Sequence, residues 1–101
     1  LIPRGVTAIF CFNDLQAYGV FAYVNELGLS VPNDVSIVGF DDIFYSSILE
    51  TKLTTVRQHI RQMALETCKV VVNLLENKPC QQEVKLETEL IVRDSVKDIS
   101  K

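Results

Sequence analysis

Residues 7–40 alternate in a way that leaves few architectures open. "TAIFCF" (7–12) is a short apolar run rich in strand formers, and "ND" follows as a helix cap, a side-chain oxygen accepting the free amides of a first turn. "LQAYGVFAYVNELG" (15–28) has good helical propensity apart from Gly19. Gly28 stands where a left-handed residue would end that helix, with Leu29 placed for the accompanying hydrophobic contact, and "VPND" (31–34) makes a turn. "VSIVGF" (35–40) is the second apolar run. Strand, helix and strand in this order make a βαβ unit, with parallel strands and a right-handed crossover, and the strands read as continuously apolar because helices cover both faces of such a sheet. Ligands of open parallel sheets collect beyond the carboxyl ends of the strands, so residues 12–14 and 40–44 are expected side by side on one rim.

After residue 52 the pattern changes. "LTTVRQ" (53–58) offers a third strand, and then Ile60, Met63, Ala64, Thr67, Cys68, Val71, Leu74 and Leu75 recur at the spacings of one helical face, with Asn77 and Pro79 as a stop. In "EVKLETELIVRD" (83–94) Val84, Leu86, Leu90 and Val92 alternate with polar positions, which predicts an edge strand with one wet face. A frayed charged tail follows from Lys97. The fold class is therefore α/β: a parallel βαβ sheet fragment with a long amphipathic helix and a C-terminal edge strand.

Composition narrows the functions. The 101 residues allow one domain at most, and Leu1 in place of an initiator Met reads as a piece of a longer chain. No apolar run approaches the ~20 residues of a membrane span, and the start lacks the marks of a signal peptide. Ten basic against 13 acidic residues, with no basic run longer than a pair, make the segment itself a poor binder of phosphate backbones. Cys11, Cys68 and Cys80 are odd in number and widely spaced, which fits reduced thiols in a cytosolic protein, with Cys11 and Cys68 as small buried hydrophobes.

The rim would carry Asn13, Asp14, Asp41 and Asp42. Carboxylates and an amide side chain accept from and donate to several hydroxyls at once, which suits a polyol such as a sugar or nucleoside. The plainer alternatives are a helix cap for Asn13 and Asp14 and a solvated turn for Asp41 and Asp42. Phe12, Phe40 and Phe44 either stack on a sugar face or, as single aromatics more often do, enter the core. Magnesium binding, as in phospho-accepting domains of similar topology, lacks an evident third carboxylate and lysine. His59 is the single histidine, and neither a GxSxG serine nor a glycine-rich phosphate loop is present. Tyr45, Ile48 and Leu49 in "FYSSILE" either form a satellite core cluster or join Tyr18 of the first helix in an apolar patch suited to a subunit interface, which is favoured because that helix is apolar on too many sides for a monomer.

"TAIFCFNDLQAYGVFAYVNELGLSVPNDVSIVGFDD", then "LTTVRQHIRQMA" and "ELIVRDS", in this order and spacing, resemble the C-terminal part of the LacI/GalR family of bacterial transcriptional regulators, from about Val6 to Val96. The resemblance implies a cytoplasmic, non-enzymatic homodimer with a periplasmic-binding-protein-like core of two lobes, needing no cofactor and no membrane. A small effector, a sugar or related polyol or nucleoside, would sit between the lobes, and operator DNA would be read only by an N-terminal headpiece outside this chain. Asn13 and Asp41 fall on the family's effector-contacting positions, Gln58 lies near the cleft, and Tyr18, Tyr45, Ile48 and Leu49 fall on dimer-facing segments. Asp14 and Asp42 become structural. Residues 1–96 would be the C-terminal portion of the effector-binding and dimerisation domain and 97–101 its tail. After "LTTVRQ" the chain crosses to the other lobe and later returns, so in isolation helix 59–77 would fold back on the sheet or exchange with a second chain. Two readings share the residues: a periplasmic sugar-binding protein of a transporter, and a phospho-accepting or metal-binding domain built on the carboxylate rim.

Overall fold

A computed structural model describes residues 5–79 and 83–100; Cys80 lies outside them. The elements in chain order are β1 (Ala8–Phe10), α1 (Asp14–Glu26), β2 (Ser36–Val38), a 3-10 turn (Phe44–Ser47), β3 (Thr55–Arg57), α2 (Ile60–Leu75) and β4 (Glu89–Ile91). The chain divides into two units: residues up to Arg57 together with those from Glu89 onward, and Gln58–Thr88. The chain leaves the first unit after β3 and re-enters it before β4.

In the first unit β1 and β2 are parallel, Ala8 opposite Ser36 and Phe10 opposite Val38. β3 joins β2 through parallel bridges at Val38–Thr54 and Asp41–Arg57, and β4 pairs antiparallel with β3, Val56 opposite Leu90. α1 connects β1 to β2, the expected βαβ unit. It ends as its sequence dictates: Gly28 takes a φ of +76°, its N–H donates to Asn25 O and that of Leu29 to Val24 O, which satisfies the last carbonyls of the helix. Cys11, Ala17, Ile37 and Leu53 form the buried centre, with Ile9, Tyr18, Val20, Phe21 and Val31 packed against it. Each fully buried Ile, Leu or Val there contributes about 1.5–3 kcal/mol.

The C-terminal strand differs from its expectation. Only Glu89–Ile91 pairs, and its parity is reversed: Leu90 is 61% exposed and Val92 is exposed as well, whereas Ile91 and Arg93 are half-buried and Ser95 is fully buried. Hydrogen bonding, not apolar alternation, sets this register. Ser95 accepts the Ile37 N–H at its carbonyl (2.9 Å) and the Thr54 N–H at its Oγ (2.8 Å), and its hydroxyl donates to Ile37 O, so one polar residue stitches β2 to the start of β3. Beyond it the Lys97 N–H donates to Ser36 Oγ and Lys97 Nζ to Asn33 O.

In the second unit α2 occupies the predicted span, and Asn77 ends it at a φ of 57°, with the Lys78 N–H donating to Asn73 O. Val84 and Leu86 lie beside Met63, Thr67, Val70 and Val71. No residue of α2 is buried. Cys68 is exposed, against the expectation that it is a buried small hydrophobe. No described helix is long and apolar enough to cross a membrane.

Candidate functional site

The carboxyl ends of β1 and β2 form one rim. Just past β1, Asn13 caps α1 from an extended conformation (φ −154°), its Oδ1 accepting the Gln16 N–H at 2.8 Å. Gln16 Oε1 in turn accepts the Phe12 N–H at 3.0 Å, so the cap is reciprocal. The Asp14 N–H donates to Phe40 O at 3.0 Å and fastens this turn to the end of β2. Residues 12–14 and 40–43 therefore lie side by side as expected. The helix-cap reading of Asn13 holds for its oxygen, which leaves the amide nitrogen as the donor to offer a ligand.

Asp14 has left the surface. Its side chain is fully buried; Oδ1 accepts from Thr55 Oγ1 (2.7 Å), and Oδ2 accepts from the Ile43 N–H (2.9 Å) and from Ser46 Oγ (2.5 Å). The single Ser46 hydroxyl proton is spent on Asp14, so the Tyr18 hydroxyl, 2.8 Å away, donates to Ser46 Oγ. Burial raises the Tyr18 phenol above its ordinary range, more than the Ser46 hydrogen bond lowers it.

Asp42 is buried by two arginines. Arg57 Nε meets Oδ2 at 2.7 Å and Arg93 Nη1 meets Oδ1 at 2.8 Å, and the Asp42 side chain is 8% exposed. Burial alone would raise its pKa, but the hydrogen bonds and charges of Arg93 and Arg57 outweigh it and hold the carboxyl below its ordinary value. A depressed folded-state pKa stabilises the fold above the unfolded carboxylate value of about 4 and loses that stabilisation as pH falls through the folded value. The gap in urea midpoint between wild type and Asp42→Asn is accordingly expected at pH 7 and should close near pH 2; an equal gap at both would mean that the charge is not what stabilises.

Asp41 lies half-buried at the rim, its N–H donating to Val56 O at 2.8 Å. Of the three aromatics, Phe40 is half-buried, while Phe12 (81% exposed) and Phe44 (71% exposed) are open to solvent, not in the core. Gln58 is not brought to Asn13 and Asp41 in one body: it is the first residue of the second unit, where it lines a recess with His59, Met63, Val84 and Leu86. Tyr18 and Leu49 line one groove with Phe21, Asn25 and Val31, of about 480 Å³; Tyr45 and Ile48 are exposed and do not line it. Sequence reasoning missed Ser46, Thr55, Arg57 and Arg93. Nothing in their spacing pairs them with Asp14 or Asp42; the parallel register of β2 and β3 and the return of the chain do.

A model of the periplasmic binding protein-like domain matches residues 2–96. The arabinose metabolism transcriptional repressor of Geobacillus stearothermophilus is 37% identical over 95 residues, 92% of this chain and 26% of the repressor. Among solved structures, a LacI family transcriptional regulator of Enterococcus faecium with bound ribose superposes with a TM-score of 0.85 at 29% identity, over 92% of this chain and 35% of the regulator. The lac repressor dimer bound to operator and an anti-inducer superposes at 0.82 with 30% identity, over 89% of this chain and 32% of that one. The chain spans about a quarter to a third of the length of these proteins. A family model covering nearly all of the chain, with these likenesses in sequence and fold, settles its kinship: the chain belongs to the periplasmic binding protein-like domain family and is homologous to part of the effector-binding domain of LacI/GalR-family transcriptional regulators.

Proposed function

We propose that this chain is the C-terminal part of the effector-binding and dimerising domain of a cytoplasmic, non-enzymatic DNA-binding regulator whose effector is a sugar or a related polyol or nucleoside. The observation that carries the reading is the rim at the ends of β1 and β2. There stand Asn13, whose amide can donate, and the half-buried Asp41, and two exposed phenylalanines, Phe12 and Phe44, belong to the same connecting segments. Polar groups that fix hydroxyls, flanked by aromatic faces that cover C–H surface, are what a polyol requires. The ribose in the E. faecium regulator and the arabinose in the name of the G. stearothermophilus repressor support a sugar. That the relatives are regulators favours this reading over a transport receptor of the same fold.

The dimer is assigned to Tyr18, Tyr45, Ile48 and Leu49, in keeping with the dimeric state of the lac repressor. Operator DNA is read elsewhere in the regulator, and the effector acts by binding one arrangement of the lobes better than the other. Asp41→Asn in the intact regulator is expected to weaken the tightest sugar about 10–100-fold, the loss of one charge-assisted hydrogen bond, with thermal stability kept. Calorimetric titration with L-arabinose, D-ribose and D-galactose reads this; unchanged affinity would remove Asp41 from the site.

A further inference from the structure

The turn that presents Asp41 is built in a conformation that residues with a β-carbon avoid. Asp41 and Asp42 are consecutive and have φ values of 115° and 57°. Asparagine and aspartate visit positive φ singly, as Asn77 does after α2, but two in succession need outside support. The support is present at every amide. The Asp41 N–H donates to Val56 O, the Asp42 N–H to Thr55 Oγ1 at 3.3 Å, and the Ile43 N–H to the buried Asp14.

The remaining anchor is the Asp42 carboxyl itself. It gathers Arg57, the last residue of the first unit before the chain departs, and Arg93, which follows β4 after the return. Arg57 also bridges to Asp41 through the backbone and approaches Glu89 at 3.9 Å, while Arg93 is itself fixed by Nη1 on Leu53 O and by its N–H on Thr54 Oγ1. One carboxyl thus ties the end of β2 to both segments through which the chain leaves and re-enters this unit. Neither the core nor α1 needs that charge, and a glycine at 42 would adopt the same φ with less strain.

We propose that Asp42 is a positioning residue for the effector: clamped by Arg57 and Arg93, it holds the strained turn so that the Asp41 carboxyl stays at the rim. The proposal rests on the effector reading above. Its test compares the intact protein with Asp42→Asn, which keeps the side-chain shape and tolerates positive φ, and with Arg93→Gln, which attacks the clamp from its other end. Amide hydrogen exchange at Asp41, Asp42 and Ile43 is expected to quicken at least tenfold more than at the core amides of Cys11 and Ile37 in both variants. Calorimetric affinity for D-ribose, L-arabinose or D-galactose, measured where the variants are fully folded, is expected to fall at least tenfold, a loss that lowered global stability alone does not produce. Unchanged exchange at 41–43 would overturn the clamp. Faster exchange with unaltered sugar affinity would overturn the positioning role. Wild-type protein that takes none of the three sugars would sink the effector reading and the positioning role with it, a result distinct from a binding-competent wild type that ignores the variants.

Discussion

Asp14→Ala is expected to destabilise the fold by about 3–6 kcal/mol, because it strips the partner from two buried donors and one half-buried donor at once. Thr55 Oγ1, Ser46 Oγ and the Ile43 N–H converge on this carboxyl, and the Tyr18 hydroxyl hangs on Ser46 behind it. Each orphaned donor costs about 1–3 kcal/mol where water cannot replace the lost acceptor. Asp14 also sits in the first turn of α1, where a negative charge favours the helix by a further few tenths of a kcal/mol or more. Against a total stability of about 5–15 kcal/mol, most of the margin is gone. Asp14→Asn should lose nearly as much, since its amide brings donors to a site that already holds three. Urea unfolding of both variants reads the effect, and a loss below about 1 kcal/mol would show that the network is not cooperative with the fold.

Gly39→Val is the second large effect, about 3 kcal/mol or more, and for a steric reason. Gly39 follows β2 with an ordinary φ, so its conformation does not call for glycine; its neighbours do. A β-carbon there would overlap Asp14 Oδ1 and stand 2.8 Å from Leu53 Cδ2 and 3.3 Å from Asp14 Cα. Neither side chain can yield, because Asp14 is held by its three donors and Leu53 is fully buried in the core. Gly39→Ala should already be destabilising. Gly19 in α1 supplies the control: a β-carbon there meets nothing within 4 Å, so Gly19→Ala is expected to stabilise by up to about 1 kcal/mol. Thermal unfolding of the three variants checks the signs, and a tolerated Gly39→Val would mean that the first turn of α1 stands farther from the end of β2.

These two residues mark where the sequence stops being legible. "TAIFCF", "ND", Gly28 and "VSIVGF" predict β1, the cap, the helix end and β2, since each is a local pattern with a local cause. The rim follows from parallel topology, and it places Asn13 beside residues 40–43 as observed. Spacing alone does not say how the four polar side chains divide; only the family resemblance implies that division. The spacing "ND" and "DD" makes each pair look alike, yet Asn13 and Asp41 remain at the rim while Asp14 and Asp42 turn inward to partners 15 to 51 residues away that no local rule selects. Phe12 and Phe44 fail the core expectation because they follow strands too short to carry them inward, and the short turn Phe44–Ser47 gave no periodic signal. β4 departs from its pattern for a related reason: its apolar alternation is real, but the buried hydroxyl of Ser95 fixes the opposite parity.

In the function proposed above, a sugar-like effector is held by Asn13 and Asp41 at the ends of β1 and β2. The most direct test is a crystal structure of the intact protein grown with whichever of L-arabinose, D-ribose and D-galactose binds it most tightly. Electron density for the sugar with hydroxyls within hydrogen-bond distance of Asn13 Nδ2 and the Asp41 carboxyl, and with a ring face against Phe12 or Phe44, is the result expected. A sugar seated with neither Asn13 nor Asp41 in contact would contradict the account.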